Sequence, residues 1–134
     1  MATYGALPEA GLVDTLKEGQ RLTAVGYGAT GFDRGGDGAL PQPVYPDDRY
    51  RATVRLLNTK DPDVGDQYVK TSGIGIIGGG EGSCYGDSGG PLFVADQQTI
   101  VGVASSVSAP LCRGAAYYQR TDLPGILNWV RSFP

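Results

Sequence analysis

Apolar and polar residues alternate with a period of two in several short stretches of the chain. The clearest is 51–57, where Ala52, Val54 and Leu56 fall on one side and Arg51, Thr53 and Arg55 on the other, the pattern of a strand with one buried face. Residues 21–27 repeat it, with Leu22 and Ala24 opposed to Arg21, Thr23 and Val25. Further strands are predicted at 67–71, 91–94, 99–105 and 115–121, with a turn at 95–98. The period then changes. Leu123, Ile126, Leu127 and Val130 share one helical face, Pro124 sits in the first turn, and Asp122 is placed to cap it, as helix starts require.

Between these stretches lie breakers. Residues 1–20 carry Gly5, Pro8, Gly11 and Gly19 and read as an extended lead-in with a short amphipathic piece at 11–16. Residues 28–48 hold five glycines and three prolines, a long surface loop of the kind that shapes binding sites. A turn is expected at 58–66, around Pro62 and Gly65. Six strands followed by one short helix, joined by Gly/Pro turns, predict a small all-β antiparallel barrel or sandwich. The expected organisation is a single domain over 1–134, with the lead-in at 1–20, the β-barrel at 21–121 and the helix at 122–134.

Composition narrows the class. Charged residues are 19% and hydrophobic ones 40% of 134 residues, which is globular. Glycine, 22 of 134, is more than twice its usual ~7% and has no collagen period, in keeping with short strands and many turns. A net charge of -3 and a pI near 4.7, with no basic run, argue against nucleic acid or an anionic membrane as partner. No apolar run approaches the ~20 residues of a spanning helix, and the first ten residues lack the basic and apolar regions of a signal peptide. Cys84 and Cys112, with no histidine anywhere in the chain, cannot supply the four ligands of structural zinc. They are either one disulfide or two buried thiols. A disulfide would close a loop of about 29 residues, contribute roughly 3 to 4 kcal/mol, and imply an oxidising compartment.

The chemistry concentrates at 84–91, Cys-Tyr-Gly-Asp-Ser-Gly-Gly-Pro. A serine set among glycines has the surroundings of an exposed nucleophile, because glycine lets backbone N–H groups converge on a developing oxyanion. Two weaker motifs fail on context. Residues 73–78 match GxGxxG, but no helix can follow to face a pyrophosphate, so no dinucleotide cofactor is expected. Residues 86–90 match GxSxG, yet a nucleophile elbow must lead into a helix, and Gly-Gly-Pro and an apolar strand follow instead.

The run GDSGGP at 86–91 resembles the nucleophile loop of trypsin-like (chymotrypsin-fold) serine proteases, for which it is highly specific. Leu7-Pro8 followed by the strand ending in Gly26-Tyr27-Gly28 is similar to the start of that family's second barrel. The strand 101–105, the closing strand near Tyr117-Tyr118 and the helix around Leu127-Asn128-Trp129-Val130 continue the likeness. The resemblance covers nearly the whole chain and only the second half of a protease. It implies a six-stranded antiparallel Greek-key barrel with a short C-terminal helix.

By this resemblance Ser88 is the nucleophile, and the N–H groups of Gly86 and Ser88 form the oxyanion hole. Cys84 and Cys112 pair to frame a specificity pocket. Gly82, six positions before Ser88, lies at the pocket base with Ser83 beside it, Tyr85 is a further substrate-binding residue, Ser105, Ser106 and Val107 form one wall, and Ala116 the far one. No acid at the base disfavours Lys or Arg in the substrate, and Val107, where the family commonly has glycine, narrows the pocket toward small or medium apolar side chains. Asp87 matches an aspartate that pairs with a newly liberated N-terminal ammonium. Without that partner it is expected to be solvated or otherwise satisfied, with a loose oxyanion turn. The family's histidine and aspartate come from the first barrel, to which nothing here corresponds. The expectation is therefore half of a peptide-bond-hydrolysing enzyme, without metal or cofactor, inactive alone, from a secreted parent. The alternative is a non-enzymatic folding, binding or assembly module, in which the face left uncovered near Ile126, Trp129 and Val130 favours a homodimer or domain swap.

Overall fold

The computed structural model describes residues 4–75, 80–95 and 98–134. Eight strands run in order: β1 (Arg21–Gly26), β2 (Gly31–Asp33), β3 (Gln42–Val44), β4 (Tyr50–Asn58), β5 (Tyr68–Thr71), β6 (Pro91–Phe93), β7 (Ile100–Val107) and β8 (Ala116–Arg120); the helix α1 (Pro124–Arg131) follows. Six of them close a barrel in the order β1-β4-β5-β8-β7-β6. Each neighbouring pair is antiparallel. Two three-strand meanders thus join through β5–β8 and β1–β6, the out-of-sequence closure of a Greek key.

Alternation dictates which face turns inward. Leu22 pairs with Val54 and Ala24 with Ala52 across β1 and β4, so the apolar side of one strand meets that of the other. Leu22, Ala24, Val54, Leu56, Val69, Leu92, Val101, Ala116 and Tyr118 fill the barrel. The outward positions of β1 and β4 carry Arg21, Arg51 and Arg55.

Three features depart from the sequence reading. The surface loop at 28–48 contains the β2–β3 ribbon, with Phe32 opposite Pro43. Neither of its strands has a buried residue, so no apolar alternation marks them. The piece at 11–16 is a 3-10 helix over Leu12–Thr15 that buries Val13 in the barrel core. Asp122 does not cap α1: the capping position is Leu123, with no side-chain cap bond. Asp122 is 0% exposed. It accepts bonds at 2.9 Å from Nε and Nη2 of Arg120 and at 2.8 Å from the Val13 N–H. Arg120 is also buried, and a buried guanidinium needs a counter-charge more than a helix end needs a cap. Arg120 reaches on to Asp14 at 3.1 Å, which fastens the lead-in to β8. The turn at 95–98 and the GxGxxG run at 73–78 lie partly outside the described residues.

Along α1 only Leu127 is fully buried, while Trp129 is 62% exposed and meets Phe133 edge to face at 5.1 Å.

Candidate active site

The serine loop is fixed from below by Asp87. Its Oδ1 accepts the Gly28 N–H at 2.8 Å and its Oδ2 the Cys84 N–H at 2.9 Å. The carboxylate therefore links the end of β1 to the loop. A Cβ added at Gly26 or Gly28 would overlap the Asp87 carboxyl group, which is the physical reason for Gly-Tyr-Gly at 26–28. The turn itself is well bonded. The Asp87 N–H donates to Cys84 O at 3.0 Å, the Gly90 N–H to Asp87 O at 2.8 Å, and the Gly89 N–H to Ala104 O at 2.9 Å. The aspartate is thus satisfied by two backbone N–H groups.

Gly86 holds a φ of +92°, a conformation that glycine takes without strain. Its carbonyl neighbour Tyr85 accepts the Ala29 N–H at 2.8 Å. Among the described residues neither the Gly86 nor the Ser88 N–H is bonded to an acceptor, although the Asp87 N–H between them is. Two unengaged donors flank the serine. The Ser88 side chain is exposed and stands where two concavities meet.

On one side is a pocket of about 240 Å³. It brings together Ser83, Tyr85, Ser105, Ser106, Val107 and Ala116 from the sequence reading, along with Cys84. A register shift between Ala104 and Ser106 leaves Ser105 without a partner in β8, and such a bulge re-aims side chains locally. Cys84 and Cys112 are disulfide-bonded, and Leu111 beside them donates its N–H to the Tyr85 hydroxyl at 3.2 Å. Gly82 does not line this pocket. It faces a neighbouring depression that also contains Asp87, and a Cβ there would come within 2.8 Å of Gly73 Cα.

The sequence reading missed Tyr118, which lines the same pocket from β8 and hydrogen-bonds the Ser83 hydroxyl. Burial, opposed by the Ser83 hydrogen bond, pushes the Tyr118 phenol up to about 12. The lining therefore carries a pair of neutral hydroxyls, with Asp87 on the same pocket. The signal was present: Tyr118 alternates with Ala116 and Arg120 on the inward side of β8, and a buried tyrosine hydroxyl needs a partner.

On the other side of Ser88 runs an open groove of about 950 Å³. Its charged lining residues are Arg49, Arg51 and Asp87, and its aromatic ones Tyr4, Tyr27, Tyr50 and Phe93. No group of three or more His, Cys, Asp or Glu side chains that could hold a metal occurs among the described residues.

Comparison with known proteins agrees with this geometry. Serine protease 1 of Drosophila melanogaster is 43% identical over 53 residues, which are 40% of this chain and 20% of that protein. Among solved structures, a mutant of human heparin binding protein superposes with a TM-score of 0.68 at 23% identity, covering 94% of this chain and 48% of its own. Mouse neuropsin, a serine protease, gives 0.66 at 19% identity, covering 98% and 53%. The chain thus spans about half the length of the solved relatives it matches. The trypsin family model matches residues 3–130, and with the six-stranded barrel and the GDSGGP loop in place, the chain belongs to the trypsin family of serine proteases.

Proposed function

We propose that this chain is the nucleophile-bearing half of a trypsin-like serine endopeptidase. The observation that carries the reading is Ser88, exposed between two concavities, with the N–H groups of Gly86 and Ser88 unengaged among the described residues. In the complete enzyme Ser88 attacks the scissile carbonyl, and those two N–H groups stabilise the oxyanion, an effect of about 3 to 4 kcal/mol per donor in enzymes of this mechanism. An acyl-enzyme forms and water hydrolyses it. Proton transfer from the serine needs a histidine base and the aspartate that orients it, and this chain has no histidine. Alone it is inactive; the base and its aspartate come from a first barrel, in the same or a separate chain. No metal or cofactor takes part.

The pocket favours an uncharged, medium-sized side chain before the scissile bond. Its lining includes the Ser83–Tyr118 hydroxyl pair, and Val107, directly opposite Ala116 in the sheet, narrows it. The disulfide fits an oxidising, extracellular setting for the parent, and no helix among the described residues is long and apolar enough to cross a membrane. Supplying a separately produced first barrel of a trypsin-family protease, and assaying peptide amides ending in Leu, Phe or Lys, tests the reading. Turnover is expected in the mixture alone, fastest with Leu, and absent in the mixture made with Ser88→Ala. Turnover that survives Ser88→Ala refutes it.

A second reading, a non-enzymatic assembly module, is favoured by the exposed aromatics Tyr27, Tyr50, Trp129 and Phe133. It requires a dimer or domain swap, and light scattering that gives a monomer at every concentration counts against it.

A further inference from the structure

We propose that Phe32 in β2 and Tyr45, immediately after β3, are positioning residues that aim the Gly86 N–H at the developing oxyanion. The proposal rests on the oxyanion-turn reading above. Gly86 has no side chain to hold its own peptide plane, and at a φ of +92° glycine changes conformation at little cost. The restraint must come from outside the serine loop. A trans peptide is planar, with its C=O and N–H on opposite sides. The plane between Tyr85 and Gly86 carries the Tyr85 carbonyl, which accepts the Ala29 N–H at 2.8 Å. Drawing that oxygen toward Ala29 turns the Gly86 N–H the other way, where no acceptor meets it among the described residues.

Ala29 leads directly into the β2–β3 ribbon, whose two ends are tied where the Thr30 N–H donates to Val44 O at 2.9 Å. Two aromatic contacts then seat the ribbon against residues 85 and 86. Phe32 meets the Tyr85 ring edge to face at 5.9 Å, and the hydroxyl of that ring accepts the Leu111 N–H at 3.2 Å. Tyr45 forms a wall beside Gly86. A Cβ built at Gly86 would come within 3.0 Å of Tyr45 Cε1 and 3.3 Å of Gly28 Cα, and Gly28 is itself held by Asp87. The ribbon thus grips the 85–86 peptide by its carbonyl, by the side chain before it and by the α-carbon after it. A grip of this kind acts on the donor's direction, and so on the transition state, without touching a bound peptide in the ground state.

The test has two arms. In the chain complemented with a first barrel, losing an oxyanion donor outright lowers kcat about 100- to 1,000-fold in enzymes of this mechanism. Tyr45→Ala, which loosens one donor, is expected to lower kcat at least about tenfold with KM within about twofold of the parent. Tyr45→Phe keeps the ring edge and is expected to hold kcat within about twofold of the parent. In the isotope-labelled chain alone, nuclear magnetic resonance of Tyr45→Ala and Phe32→Ala is expected to show a shifted Gly86 amide with an altered H–N–Cα–H coupling. Faster exchange at the Ala29 amide should accompany it, while the core amides of Val54 and Val69 keep their protection. An unchanged kcat in Tyr45→Ala, a rise in KM alone, or a loss that Tyr45→Phe shares in full overturns the proposal. Unaltered Gly86 and Ala29 amides in the lone chain also overturn it. The amide measurements need no turnover, so a parent mixture that fails to hydrolyse peptides refutes the nucleophile assignment and leaves this proposal to be decided on the chain alone.

Discussion

Asp87 is the residue whose removal the structure prices most directly. It is half-buried, and its two oxygens accept N–H bonds from Gly28 at 2.8 Å and Cys84 at 2.9 Å. A buried hydrogen bond to a charged group contributes about 1.5–3 kcal/mol. Water can replace part of each bond at a half-exposed position, so Asp87→Ala is expected to cost about 2–4 kcal/mol in all. Asp87→Asn keeps one carbonyl acceptor and turns an amide NH2 toward the other donor, so about half that loss is expected. Urea unfolding followed by circular dichroism measures the total, and amide hydrogen exchange at Gly28 and Cys84 measures the local part. Both amides are expected to exchange faster in Asp87→Ala. If both variants unfold within about 0.5 kcal/mol of the parent and exchange at those amides is unchanged, the carboxylate does not hold the loop and the account of the turn is wrong.

Replacing both cysteines by serine removes a cross-link between positions 28 apart in sequence, and a loss of about 3 to 4 kcal/mol in a denaturant titration is expected from loop entropy. Asp122→Ala leaves the buried Arg120 with only the half-exposed Asp14 as counter-charge, so a loss of about 3 kcal/mol or more is expected, read from the same titration. The Tyr118 phenol is raised from 10.0 to about 12 in the folded chain. Its folded value lies above its unfolded one, so its contribution is fully present below pH 10 and is lost as pH rises toward about 12. That contribution is on the order of 2 to 3 kcal/mol. Unfolding free energies measured against pH are expected to fall through that window in the parent and to fall less in Tyr118→Phe.

Legibility followed burial. The barrel strands β1 and β4 could be read because one side of each faces the core, as Leu22, Ala24, Val54 and Leu56 show. The β2–β3 ribbon could not, because both of its faces are largely open to solvent and local composition there says only turn. Asp122 was misassigned for a different reason. Capping is a local propensity, while the Arg120 charge that claims Asp122 arises from tertiary burial. At the site, Ser88, Gly86, Asp87 and the cysteines were visible through a specific motif. Tyr118 was visible only as one more inward residue of β8, since the hydroxyl of Ser83 that it meets lies 35 positions away. The family resemblance puts Gly82 at the pocket base, whereas it lines the neighbouring depression and lies close against Gly73.

The central claim is that this chain holds an assembled nucleophile and oxyanion turn but no base. Treating the folded chain with a serine-directed fluorophosphonate, then measuring intact mass and mapping any adduct, tests it most directly. No adduct at Ser88 is predicted for the chain alone, since it has no histidine to take the proton. Stoichiometric labelling at Ser88 would contradict the account, because it would require a group other than histidine to activate the serine.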